Sequence, residues 1–228
     1  MVVGLGALLF LTIKIIPTFA ELFKGFNIQL PLLTQILVNT SAFIRKYFLL
    51  ILVAIAAVIF VFRKYTRTKE GRMRYERLKF RLPVFGEFFR ALIVERFSAN
   101  MATLMESGVP ILYSLEITER SVDNLVMSEI IRRIKEDVRQ GKSLSQPLEK
   151  SGFFEPMVVQ MVGIGEEIGE LAQMLKKVNA FYQEYVETFL TRFTTMFEPV
   201  MLIFMGLIIG LMVIGMFLPI FKIAQIGG

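Results

Sequence analysis

The sequence predicts an all-α integral membrane protein with three transmembrane helices and one cytoplasmic antiparallel bundle of about six helices. Three observations carry this. Apolar residues make up 54% of the 228 positions, 22 of them Phe and 13 Met, and the mean hydropathy of +0.59 is high for a soluble domain. Those residues concentrate in three stretches of near-spanning length. Between the stretches, apolar side chains recur at the three-and-four spacing of one buried helix face, with no alternating strand pattern.

The first element is a transmembrane helix at 1–16. Val2 to Ile16 carries one charge, Lys14, and Pro17 closes it. A signal peptide is the alternative, but the stretch has no basic leading region and no small-x-small cleavage site. It starts at Met1 with no polar flank, so it reads as a span cut inside a longer protein. A loop at 17–46 leads to a second span at 47–62. Tyr47 to Phe62 is uncharged but short of the roughly 20 residues a span needs. It therefore extends back toward Ala42, with Arg45 and Lys46 snorkelling to the headgroups. The third span, 197–221, has one ionisable residue, Glu198, beside Pro199. Pro199 suits a first turn or a kink, and Pro219 stands where the span should end. A tail follows at 222–228.

Charge sets the orientation. Residues 63–81 hold nine Lys and Arg, among them Arg63, Lys64, Arg67 and Lys69, against Glu70 and Glu76. Such a block beside a span stays cytoplasmic, in contact with anionic lipid. The loop 17–46 and the tail then face the other side, and the domain at 63–196 is cytoplasmic. Past the block that domain turns acidic: residues 82–196 hold 12 Lys and Arg against 16 Asp and Glu.

Within the domain, Met127, Ile130, Ile131, Ile134 and Val138 make one helical stripe. Val178, Phe181, Tyr182, Tyr185, Phe189 and Phe193 make another. A broad stripe runs from Phe85 to Leu104. Ser107-Gly108-Val109-Pro110, Gln140-Gly141-Lys142-Ser143 and Ser151-Gly152 are turn or cap signals between helices.

One run stands apart. Gln160 to Leu171 places Gly163, Gly165 and Gly169 among Glu166, Glu167 and Glu170, inside an otherwise amphipathic helix. Each glycine costs a helix interior roughly 1 kcal/mol relative to alanine. A phosphate-binding loop is excluded, because the spacing fits neither glycine-rich motif and no strand precedes it. Two readings remain: tight helix packing with a turn near Gly169, and a partner-docking surface made by the three carboxylates. In the last span, Gly206 and Gly210 are four apart and suit close helix packing.

The chain has no His, Cys or Trp. That removes the commonest general base, the thiolate nucleophile and the usual zinc ligands. No catalytic residue, cofactor site or metal site is expected. The basic block could be read as a nucleic-acid arm, but beside a span lipid contact is the cheaper explanation, and no nucleic-acid partner is expected.

An ordered series of motifs now resembles one family, the inner-membrane platform proteins of type IV pilus assembly and type II secretion (the secretion F-protein family). The series runs Pro17-Thr18-Phe19-Ala20-Glu21-Leu22-Phe23, Leu30-Pro31 with Thr34, Arg81-Leu82-Pro83-Val84-Phe85-Gly86 and Leu104-Met105-Glu106-Ser107-Gly108-Val109-Pro110. It continues with Gly141-Lys142-Ser143-Leu144-Ser145, Val159-Gln160-Met161-Val162 into Gly165-Glu166-Glu167, and Glu198-Pro199 opening the last span. The resemblance implies a protein with two copies of the cytoplasmic domain, of which this chain holds one; it looks like the carboxy-terminal half. It also implies a non-enzymatic platform in the bacterial inner membrane. The implied partners are a cytoplasmic secretion or pilus ATPase, pilin-like subunits, other inner-membrane assembly proteins, the lipid bilayer and further copies of itself. The rival readings are a small channel or transporter subunit, which would need polar residues within the spans, and a membrane-anchored signalling receptor.

Overall fold

A computed structural model of the protein describes residues 32–226, all of whose regular structure is helical. The span expected at 1–16, the motifs at 17–23 and 30–31, and residues 227–228 lie outside the described residues. Eight helices follow in order among those described: α1 (Leu32–Arg67), α2 (Lys69–Lys79), α3 (Phe85–Glu106), α4 (Ile111–Ser121), α5 (Leu125–Arg139), α6 (Ser145–Ser151), α7 (Pro156–Glu167) and α8 (Leu171–Ile226). The described residues fall into two compact units, one of residues 32–61 with 194–226 and one of residues 62–193.

In the first unit the described chain is apolar helix. Two helical stretches, Lys46–Arg67 and Leu171–Gly210, are long and apolar enough to cross a membrane, and none of the most apolar part of either is buried. Leu49 and Ile203 are 76% and 70% exposed. So much bare apolar surface suits a lipid environment rather than water.

Both helices are longer than the sequence suggests. Helix α1 begins at Leu32, inside the stretch assigned to the 17–46 loop. Helix α8 runs through Pro199 and Pro219 to Ile226, so Pro219 does not end it and the expected tail is largely helical. A proline removes one backbone bond and strains the helix, but every alternative in lipid strands more backbone groups. Glu198 therefore sits inside a continuous helix rather than at a helix N-terminus, and the dipole attraction available there does not act on it.

The second unit has a well-packed core. Phe97 and Met101 from α3, Leu115 from α4, Met127, Ile131 and Ile134 from α5, Leu148 from α6, Val158 and Val162 from α7 and Leu175 and Val178 from α8 are at most 1% exposed. The α5 stripe is the cleanest: Met127, Ile131 and Ile134 are buried, with Ile130 and Val138 packed at its edges. The α8 stripe is only half used. Val178 and Tyr182 are buried, while Phe181, Tyr185 and Phe193 are exposed. Farther along, Phe189 stacks on Phe88 at 4.5 Å and Phe193 meets Phe85 edge-on at 5.7 Å.

Local chemistry sets the ends of these helices. The Thr68 hydroxyl accepts the Gly71 N–H at 3.2 Å and caps α2. The Asn124 side chain accepts the Met127 N–H at 2.8 Å and caps α5. Before α3, Val84 adopts φ 67° and ψ −51°, and the Phe85 N–H donates to the Pro83 carbonyl at 2.8 Å. That is a γ-turn of the rare, strained hand, on a β-branched residue.

Candidate functional site

The glycine–glutamate run is not one helix but a corner. Helix α7 starts with Pro156 at its first turn, where the missing N–H costs nothing. It buries Val158, Val162 and Gly165 along one face and ends at Glu167. Gly169 takes φ 75°, and the Glu170 N–H donates to the Gly165 carbonyl at 2.8 Å. This is the six-residue bond of a Schellman-type cap, with glycine at the left-handed position. Helix α8 starts two residues later.

The three glycines have different surroundings. A Cβ on Gly165 would lie 3.0 Å from the Leu171 Cα and 3.0 Å from the Met174 Cγ, so α7 and α8 approach closely there. At Gly163 the nearest atom would be the Ser145 Cβ at 3.6 Å, an ordinary contact. Gly169 has open space around it and is needed for its backbone angle alone.

The carboxylates also separate. Glu166 is half-buried and accepts the backbone N–H groups of Leu144 and Ser145, the latter at 3.0 Å. It thereby satisfies orphan donors at the start of α6, a role that a local capping residue usually fills. Glu167, Ile168 and Glu170 are exposed at the corner. Glu166 and Glu170 are four apart in sequence, but the break at Gly169 takes them off a shared helix face. Beside the corner, Lys176 on α8 pairs with Glu106 at the end of α3, at 2.8 Å and largely exposed.

The remaining predicted residues lie elsewhere. Arg63, Lys64, Arg67 and Lys69 are exposed around the α1–α2 junction, and Glu198 and Pro199 are exposed on α8. Nothing described lies within 4 Å of where a Cβ would stand on Gly206 or Gly210.

A second carboxylate cap was not foreseen. Glu76 counts in the sequence as a minority charge in a basic block, yet it is 6% exposed. It accepts N–H groups from Leu125 at 2.6 Å and Val126 at 3.3 Å at the start of α5, and from Arg72 Nε at 2.8 Å. Arg72 also donates to the carbonyl and the carboxylate of Asp123. The hydrogen bond to Asp123, then that to Glu76, raises the Arg72 pKa above its ordinary value. The only signal in the sequence is the four-residue spacing of Arg72 and Glu76. Two glycines of this region are also fixed by contact: a Cβ on Gly71 would strike the Tyr65 carbonyl, and one on Gly86 would lie 2.6 Å from the Phe80 carbonyl.

Residues 97–219, from the middle of α3 into the last part of α8, match the family described as type II secretion system (T2SS), protein F. The chain belongs to this family. The type IV pilus assembly protein PilC of Thermus thermophilus is 43% identical over 223 residues, covering 97% of this chain and 55% of that protein. PilC of Pseudomonas aeruginosa is 33% identical, over 96% of this chain and 59% of that one. The type II secretion system protein F of P. aeruginosa is 32% identical, over 100% and 56%. The chain thus spans about half the length of these relatives. The family match takes in the α7–α8 corner and all of α4 to α7, but leaves out α1, α2 and Glu76.

Proposed function

We propose that the chain is part of a non-catalytic platform in the bacterial inner membrane. In this reading it couples a cytoplasmic assembly ATPase to the insertion or removal of pilin-like subunits, in type IV pilus biogenesis or type II protein secretion. Membership of a family whose relatives carry both names supports the general role. The observation that carries the mechanism is the continuity of α8. One helix begins at the α7–α8 corner, buries Leu175, Val178 and Tyr182 in the core, and runs on unbroken through the apolar stretch to Ile226. In this reading the buried residues near its start hold α8 to the core.

Glu167 and Glu170, with Ile168 between them, are the motor-docking surface in this scheme. Glu166 belongs to the α6 cap and contributes by holding the corner in place. Arg63, Lys64, Arg67 and Lys69 meet anionic headgroups on the cytoplasmic side. Gly206 and Gly210 accept a neighbouring helix, including one from another copy of the chain.

The test is co-purification of the partner ATPase with Glu167→Lys/Glu170→Lys, which reverses exposed charges and leaves the cap intact. Loss of the ATPase with unchanged unfolding temperature is the expected result; full retention would remove these residues from the interface. Orientation is tested separately. The chain has no cysteine, so a single Cys at exposed Gln140 or exposed Gln35 can be labelled cleanly. The two should react from opposite sides of the membrane, and same-side labelling would overturn the topology.

A further inference from the structure

Within the 62–193 unit, residues from α1, α2, α3 and the α4–α5 turn line a half-open cavity of about 450 Å³. That lies in the roughly 300–1,000 Å³ range of small-molecule sites. Three cations line it, Arg72, Lys79 and Arg96, with two acids, Glu76 and Asp123. The acids are already committed: both bind Arg72, and Glu76 also takes the two amides of α5.

Lys79 and Arg96 are different. Among the described residues neither has an ion-pair partner. The Lys79 ammonium stands 4.4 Å from the centre of the Tyr75 ring and 5.2 Å from that of Phe89, and both rings line the cavity. The carboxylate influenced by Arg96 is its neighbour in sequence, Glu95, which does not line the cavity. Two cations therefore face a partly apolar hollow with no anion assigned to them. A guanidinium fork and an ammonium point charge together suit a phosphate. Thr66, from the last turn of the apolar Lys46–Arg67 stretch, also lines the cavity, which places it where a headgroup would lie if that stretch spans a bilayer.

We propose that this cavity binds a phosphate-bearing anion through Lys79 and Arg96, and that an anionic phospholipid headgroup supplies the phosphate. The assignment to lipid rests on the reading of α1 as a membrane span; the phosphate site does not. The test uses the full chain in a neutral detergent, with thermal unfolding followed against added short-chain phosphatidylglycerol, short-chain phosphatidylcholine or inorganic phosphate. Phosphatidylglycerol should raise the unfolding temperature most. Lys79→Gln/Arg96→Gln should weaken its apparent affinity at least about tenfold, the scale of losing charge-assisted hydrogen bonds. Arg132→Gln/Lys177→Gln, which removes equal charge at exposed positions outside both the cavity and the basic block, should leave it unchanged. The charge-keeping Lys79→Arg/Arg96→Lys should retain binding, which keeps the test decisive if the glutamine pair fails to fold. Equal stabilisation of wild type and the glutamine pair, or none of wild type, overturns the proposal. If inorganic phosphate acts as strongly, through the same two residues, the site stands and the lipid source falls. Alkaline extraction of the chain from membranes, with the binding intact, would refute the span and not the site.

Discussion

The Glu76 carboxylate, carried on α2, accepts the backbone N–H of Leu125 at the start of α5 across a sequence separation of 49 residues. Its other oxygen binds Arg72, which in turn holds Asp123, so α2 and the α4–α5 turn are joined by one charged network. A carboxylate this buried is costly unless its acceptor sites are filled, and here donors reach both oxygens. Glu76→Ala strands the amides of Leu125 and Val126, and the expected loss is about 2–3 kcal/mol. Glu76→Gln keeps one acceptor oxygen and should lose less. Denaturant unfolding of the solubilised chain checks both, and a loss under about 0.5 kcal/mol for alanine would reduce the network to an ordinary surface pairing.

Two glycines on α7, two residues apart, should respond with opposite sign. At Gly163 an added methyl meets only ordinary contact with Ser145. The helix-propensity gain of up to about 1 kcal/mol then stands, and Gly163→Ala should stabilise. At Gly165 the same methyl meets the Leu171 backbone at 3.0 Å, and backbone cannot swing aside. Gly165→Ala should cost roughly 1–3 kcal/mol through overpacking. Thermal unfolding of the two variants side by side is the measurement, and equal shifts would mean that the corner is looser than its distances indicate.

The helical class was legible because burial leaves a period. Met127, Ile131 and Ile134 repeat at three and four, and that stripe is the buried face of α5. The length of α8 was half legible. Pro199 suits a first turn or a kink, and a kink leaves the helix continuous; Pro219 read as its end because proline ends helices in water, whereas the apolar stretch around it favours continuation. The α7–α8 corner was half legible: glycine marks a break, but nothing local says which of three glutamates turns inward. Glu166 does so because Leu144 and Ser145 arrive from 21 or 22 residues earlier. Glu76 was invisible for the same reason, since a carboxylate among arginines looks like a solvated charge until its distant amides are in place.

The separation of Glu166 from Glu167 and Glu170 gives a third prediction. Glu166→Ala removes the acceptor for two amides at the start of α6 and should cost about 1–2 kcal/mol, as cap losses do. Any fall in ATPase co-purification that it causes should track the fall in stability and recover partly in Glu166→Gln. Glu167→Lys/Glu170→Lys should show the reverse pattern, with binding lost and stability kept. If Glu166→Ala abolished binding while the unfolding temperature held, the cap assignment would fail and the carboxylate would belong to the interface.

Two acids should pull the pH dependence in opposite directions. Glu95 on α3 is half-buried, and its desolvation raises the carboxyl above the ordinary value, with Arg96 opposing more weakly. A raised acid binds its proton more tightly when folded. Its contribution to stability is complete below the unfolded value, about 4.3, and is lost as pH rises through the folded value. Asp137 is the converse. Its hydrogen bond from Lys142 at 2.6 Å holds the carboxyl below the usual range, so that contribution is present above the unfolded value and lost as pH falls through the folded one. Glu95→Gln should therefore raise the unfolding temperature at neutral pH, and the gain should vanish as the acid limb is entered. Asp137→Asn should lower it at neutral pH, with a difference that also closes on acidification. Unfolding temperatures of wild type and both variants across that range provide the check. A Glu95→Gln curve lying below wild type at neutral pH would show that the carboxylate, not its absence, is what α3 needs.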